Sequence, residues 1–188
     1  MEQFTYTERG ATDRPFPQPL DGGWPAGYTV MVERHEIVCS DAPAAFAALT
    51  DGILRWELHR RAGLTMESDA EHAAPDVRVV SGFGVGPFRI KAPCRVLWSR
   101  AAQLDATGRV VPGQRSGFGY GTLPGHPVRG EEGFYAELSE DHRLFFICSA
   151  YSLPASFLYR LAAPITRLTQ RFVLARYVRA ARGLAAGS

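Results

Sequence analysis

Lysine is almost absent from this chain. Lys91 is the only one, against 20 arginines. We read that bias as the mark of a GC-rich genome, and it leaves one residue on which a Schiff-base mechanism could rest. Cysteine is scarce too. Cys39, Cys94 and Cys148 stand far apart with no Cys-x-x-Cys, which argues against a disulfide framework or a zinc site and fits reduced thiols in a cytoplasmic protein. No apolar run approaches the roughly 20 residues that cross a bilayer, and the first nine residues hold no apolar core of a secretory signal. Acidic side chains are missing from residues 154–188. Six arginines make that stretch +6 and leave the rest of the chain at −4, within a total of +2. Such a total points neither to nucleic acid nor to an acidic substrate. The glycines of residues 82–87 lack the spacing and following helix of a dinucleotide fingerprint, and Ser116-Gly117 lacks the pattern of a nucleophile elbow.

What is present fits one globular domain: 188 residues suffice for a sizeable core, and 46% hydrophobic with 21% charged residues is an ordinary soluble balance. Residues 1–26 carry Pro15, Pro17, Pro19 and Pro25 and read as an irregular arm. Phe4, Tyr6, Phe16 and Trp24 predict that it packs on the body, formed by residues 27–188. Residues 28–38 read as a first strand. Ser40-Asp41-Ala42-Pro43 starts a helix; Asp51-Gly52 divides it, giving helices over about 42–49 and 51–62. Trp56 on the second is core or the wall of a ligand site, with Arg55 or His59 as its polar contact; core is favoured for Trp56 and solvent for His59. Residues 65–75 read as a polar loop, and strands follow through residue 151. Ser152 and Pro154 start a long helix to about 182, whose core stripe is Phe157, Leu161, Ile165, Leu168, Phe172 and Ala175.

The stretch 117–134 is the part least explained by ordinary folding needs. Gly117, Gly119 and Gly121 alternate with Phe118, Tyr120 and Thr122. In a strand the three glycines share one face and leave it bare, so something must approach that face closely. We favour the arrangement with Phe118 and Tyr120 facing inward. After the break at Pro124-Gly125 come His126, Arg129, Glu131 and Glu132. His126 and the two glutamates form either a proton-transfer set or the scaffold of a tight loop.

Strand, two short helices, about six antiparallel strands and a long final helix predict an α+β domain: a curved antiparallel sheet gripping the C-terminal helix. That order resembles the helix-grip, START-like architecture of polyketide cyclases and lipid-transfer domains. The chain also resembles the family catalogued as domain of unknown function nineteen-ninety. The likeness rests on Phe4-Thr-Tyr6 with Gly10-Ala-Thr12, Pro25-Ala-Gly-Tyr28, Leu54-Arg-Trp56 with Arg60, Ala92-Pro-Cys-Arg-Val96, and above all Gly119-Tyr-Gly-Thr-Leu-Pro-Gly-His-Pro127 with Gly130-Glu-Glu132. The loop 101–113 is longer than that family's pattern. The resemblance implies a single-domain cytosolic protein and no particular activity.

The expected function is binding of a mostly apolar small molecule between sheet and last helix, in a pocket lined by Trp56, Phe118, Tyr120, Phe157 and Leu161 and open near His126. The alternatives are a cofactor-free cyclase or isomerase using His126, Tyr120 and Glu131, and a structural or protein-interaction module. No cofactor, metal, nucleic-acid partner or membrane span is expected, and a homodimer stays open.

Overall fold

The computed structural model describes residues 2–14, 23–84, 89–155 and 163–187, with backbone alone for 163–171. Seven strands build one sheet: β1 (Thr29–Ile37), β2 (Thr65–Ser68), β3 (Arg78–Phe83), β4 (Ile90–Arg100), β5 (Gln114–Thr122), β6 (Val128–Leu138) and β7 (Leu144–Pro154). Their order is β1-β7-β6-β5-β4-β3-β2, every neighbouring pair antiparallel. The chain leaves β1, crosses through two helices to the far edge, and meanders back until β7 lies beside β1.

α1 (Ala42–Leu54) starts where the sequence places it. Asp41 accepts a hydrogen bond from the Ala44 amide at 3.1 Å, and Pro43 sits in the first turn. The break before α2 (Glu57–Arg61) falls at Trp56 rather than at Asp51-Gly52. Trp56 takes the left-handed conformation (φ 66), rare for a bulky residue. Gly52 stays inside α1 for a packing reason: a Cβ there would lie 2.6 Å from the Leu184 side chain of the last helix.

Other boundaries differ as well. The stretch read as a loop holds β2, a short polar edge strand paired with β3; its Thr-Met-Glu-Ser sequence carries no apolar alternation to reveal it. Ser152 and Pro154 do not start a helix. They end β7, paired with Gly130 and Val128. The last helix, α3, is described over Ala163–Ala185. Its buried face is Tyr177, Val178, Ala181, Leu184 and Ala185, whereas Phe172 is 55% exposed and Ala175 is exposed. The buried stripe is therefore rotated from the expected one in this half, because here the helix packs on α1 and α2. Of the expected pocket residues, Phe157 and Leu161 lie outside the described residues.

The sheet has two covered faces. On the inner face Phe118, Phe134, Phe146 and Cys148 meet Phe46, Leu49, Ile53, Trp56 and Leu58 of the helical side in one core. On the outer face Tyr6, Ala11 and Tyr151 form a second cluster with Phe4, Trp24 and Tyr28, next to a third of Trp98, Tyr135, Phe145 and Ile147. A bulge at Leu97 separates the faces within β4. Pairing passes from Val96 opposite Tyr120 to Trp98 opposite Gly119, so Val96 joins the inner core and Trp98 the outer.

The bare glycine face is now accounted for. A Cβ on Gly119 would fall on the Trp98 indole, and one on Gly121 on the Tyr6 hydroxyl and Phe4 ring. Gly121 admits the N-terminal segment to the outer face and Gly119 admits the Trp98 indole, while Gly117 (φ 148) lies against the Phe134 backbone of β6; Phe118 and Tyr120 go inward.

Candidate functional site

Adjacent residues of a strand point to opposite faces, and that rule divides the expected site. Glu131 and Glu132 are neighbours on β6. Glu131 faces outward, 3% exposed. Its carboxylate accepts from the Tyr6 hydroxyl (3.0 Å), the Gly10 amide (2.6 Å), and the Thr12 amide (3.3 Å) and hydroxyl (3.0 Å). Thr12 Oγ1 accepts in turn from Trp98 Nε1 at 3.1 Å. The four donors to Glu131 all belong to residues 6–12, so Glu131 latches the N-terminal segment to the sheet. Burial, and secondarily the Glu131 charge, push the Tyr6 and Tyr151 hydroxyls far above their usual range. Thr5 adds a backbone bond to Thr122 at 3.1 Å, and Arg95 donates to the Glu2 carbonyl at 2.7 Å.

Glu132 faces inward. Opposite it on β5 is Tyr120, whose hydroxyl donates to Glu132 Oε2 at 3.0 Å. The Cys148 thiol on β7 donates to Oε1 at 3.6 Å. Tyr177 of α3 brings a second buried phenol to the group, its ring 5.0 Å from Phe134 and 5.2 Å from His59. The surrounding side chains Cys94, Phe134, Cys148 and Tyr177 are buried, yet Glu132 keeps part of its surface accessible. Burial raises its carboxyl above the usual range, and the hydrogen bonds from Tyr120 and Cys148 offset that only in part. No ion pair reaches it from any described basic residue; its partners are neutral donors.

His59 stands beside this group, and the expectation that it is solvated does not hold. It is fully buried, and neither ring nitrogen has a hydrogen-bond partner. Its ring centroid lies 4.6 Å from Phe134, 5.2 Å from Tyr177, 5.7 Å from Phe118 and 6.1 Å from Tyr120. Burial, with the Arg60 charge second, lowers its pKa to about 3, so the ring is neutral at ordinary pH. Trp56 is core: fully buried, 5.0 Å from the Phe118 ring, with its indole donating to the Ala70 carbonyl at 3.1 Å.

His126, Glu131 and Glu132 are not brought together. His126 Nδ1 lies within 3.1 Å of both the amide and the carbonyl oxygen of Val128, where it holds the turn between β5 and β6. Burial lowers its pKa to about 4. Tyr120 and Glu132 are the pair that the fold creates, and Cys148, Tyr177 and His59 complete it. The register of β5 with β6 produces that pair, and register is hard to read from sequence. No local pattern marked His59: α2 restarts after the left-handed Trp56, and its third residue turns into the core. A groove of about 600 Å³ is lined by Ile37, Cys39, Asp41, Ala45 and Arg182 and touches none of these residues. Among the described residues no group of three or more His, Cys, Asp or Glu could hold a metal ion.

A family model described as domain of unknown function, DUF1990, matches residues 5–180. The chain belongs to the DUF1990 family. Relatives named UPF0548 protein occur in Deinococcus radiodurans, 43% identical over 65 residues, and Arabidopsis thaliana, 40% identical over 55 residues. These matches cover 35% and 29% of this chain and 33% and 27% of those relatives' own length. Among solved structures, norcoclaurine synthase from Thalictrum flavum in complex with dopamine and hydroxybenzaldehyde is similar with TM-score 0.52 and 12% identity, over 100% of this chain and 98% of that one. A protein from Thermus thermophilus is similar with TM-score 0.54 and 10% identity, over 85% and 98% of the two chains. At such identities the likeness concerns fold alone. This DUF1990 chain has the helix-grip, START-like α+β fold, and no helix among its described residues is long and apolar enough to cross a membrane.

Proposed function

We propose that the protein binds a mostly apolar small molecule against the inner face of the sheet, beneath the last helix. The observation that carries this reading is His59. A buried imidazole with two unpartnered nitrogens costs about 1–3 kcal/mol for each unsatisfied group, and native interiors seldom keep such a cost without a use. Around it lie the aromatic rings of Trp56, Phe118, Tyr120, Phe134 and Tyr177. Aromatic walls with a few convergent polar groups are the usual make-up of small-molecule sites. That norcoclaurine synthase holds two small aromatic molecules in a similar fold is consistent with this reading.

The Tyr120–Glu132 pair favours a second reading: a cofactor-free enzyme of the cyclase or isomerase type. A carboxyl with raised pKa beside a phenol can take and return a proton. In this reading Glu132 replaces His126 and Glu131 as the proton-handling group.

The test is native-state uptake of Nile red, a neutral apolar dye. Saturable uptake at one dye per chain is expected, weakened by Tyr120→Ala. Gly119→Val should leave uptake alone, since Gly119 meets Trp98 on the outer face. Absence of saturable uptake by the folded protein would favour the interaction module instead.

A further inference from the structure

Glu132 has a feature that a purely apolar ligand does not use. Buried carboxylates are paired with cations in most proteins, because an isolated charge is expensive in a low-dielectric interior. Among the described side chains Glu132 has the Tyr120 hydroxyl and the Cys148 thiol as its hydrogen-bond donors. The other polar side chains grouped with it on this face are uncharged: Cys94, Tyr177, and a His59 held neutral. No described arginine pairs with it, although the chain has 20.

The rings matter equally. Tyr120, Phe134 and Tyr177 form a chain of contacts, with centroids 5.8 Å apart for Tyr120–Phe134 and 5.0 Å apart for Phe134–Tyr177. The face of an aromatic ring carries negative potential and attracts organic cations when water is excluded. A carboxylate with no counter-ion among the described side chains, bordered by such rings, is the chemistry that recognises an ammonium group. His59 gives the independent sign of a missing partner. It is fully buried, it packs on the same Tyr120, Phe134 and Tyr177 rings, and as a neutral imidazole it offers an unused acceptor nitrogen. An ammonium group has N–H donors enough for both acceptors.

We infer that the ligand of the inner face is a hydrophobic amine, its protonated nitrogen paired with Glu132 and its apolar body against the aromatic core. The inference rests on the binding reading above and adds the class of ligand. As a residue Glu132 keeps an intermediate exposure in an otherwise buried neighbourhood, although its carboxyl group is desolvated.

The probes are 2-(1-naphthyl)ethylamine and 2-(1-naphthyl)ethanol, equal in size and differing in charge, titrated against the full chain at neutral pH with ligand-observed NMR. The amine should bind about tenfold more tightly than the alcohol, the ratio that a partly desolvated ion pair supports. In Glu132→Gln that ratio should fall to about one. Equal or tighter binding of the alcohol by the wild-type protein overturns the amine assignment and leaves the pocket standing. A ratio unchanged in Glu132→Gln also overturns it, since the amine is then held elsewhere. Binding of neither probe removes the pocket and the amine together. If Glu132→Gln does not fold, the amine-to-alcohol ratio of the wild-type protein decides alone.

Discussion

Glu131 and Glu132 are covalent neighbours that meet opposite chemistry. Glu131 passes through the outer face into four hydrogen bonds from residues 6–12. Glu132 passes through the inner face and finds two neutral donors and no cation among the described side chains. The first carboxylate is saturated by hydrogen bonds; the second is desolvated and under-supplied by the described side chains. A saturated buried charge organises structure, because every lone pair is already committed. An under-supplied one is where a ligand can add an interaction. The difference separates architecture from function within one dipeptide.

The strongest way to break this contrast is Glu131→Ala. It leaves the Tyr6 and Thr12 hydroxyls and two backbone amides buried without an acceptor, and a loss of about 5 kcal/mol is expected from that mechanism. Urea denaturation reads it as a lower midpoint. If the Ala variant does not fold, Glu131→Gln keeps one acceptor oxygen and should lose roughly half as much. Glu132→Gln should be close to neutral, because the Gln carbonyl still accepts from Tyr120. Its sign depends on pH. The folded-state pKa of Glu132 is raised, so the folded wild-type protein loses stability as pH rises from the ordinary carboxylate range through that raised value. Gln does not titrate, so the variant gains on the wild type over that window. Equal losses at the two positions would erase the distinction.

His59 carries the next largest expected effect. Its folded pKa of about 3 lies below the ordinary value of 6.5. Between those values the unfolded chain binds a proton that the folded one refuses, so stability falls as pH drops from 6.5 to about 3. The total loss is on the order of 5 kcal/mol from linkage. His126 contributes in part of the same window, with a folded value of about 4. The difference between wild type and His59→Phe therefore isolates His59: the variant should lose less stability on acidification. Parallel stability–pH curves would mean that His59 already has a partner in solution.

Much of the fold was legible because it rests on local chemistry. Asp41 with Pro43 marks a helix start, and the Gly117–Gly119–Gly121 alternation marks a strand with a bare face. The alternation also sent Phe118 and Tyr120 inward. What covers the bare face was not legible. Phe4 and Tyr6 reach Gly121 from the other end of the chain, and a bulge at Leu97 turns Trp98 outward onto Gly119. No local pattern encodes either approach. The candidate site was legible residue by residue but not as a set. His126, Glu131 and Glu132 are close in sequence, whereas strand alternation and a turn part them in space. The Tyr120–Glu132 pair depends on register across a hairpin, and Tyr177 arrives from the last helix.

Gly121→Ala tests the outer face more gently than loss of Glu131. The added methyl would fall on the Tyr6 hydroxyl and the Phe4 ring, so the N-terminal segment must shift or lift. Overpacking of this kind costs about 1–3 kcal/mol. Limited proteolysis should cut the variant within its N-terminal segment, ahead of Pro15, faster than the wild type. Nile red uptake should persist, because the inner face is untouched. Faster cleavage together with lost uptake would show that the two faces are coupled.

The smallest expected effect comes from His126, and it decides whether the turn belongs to architecture or to the site. Its Nδ1 binds the Val128 backbone two residues on, a local bond of the kind that shapes turns. Its ring is held neutral by burial, with a pKa of about 4, so it is a poor proton donor at neutral pH. Its ring bonds are to Val128 and not to Glu132, Tyr120 or Glu131. His126→Ala should therefore cost about 1 kcal/mol, the usual net worth of one hydrogen bond, and leave dye uptake and the amine-to-alcohol ratio where they are. A stable His126→Ala protein that no longer takes up dye would restore His126 to the mouth of the pocket. It would also move the functional boundary from the inner face of β6 to the turn that precedes it.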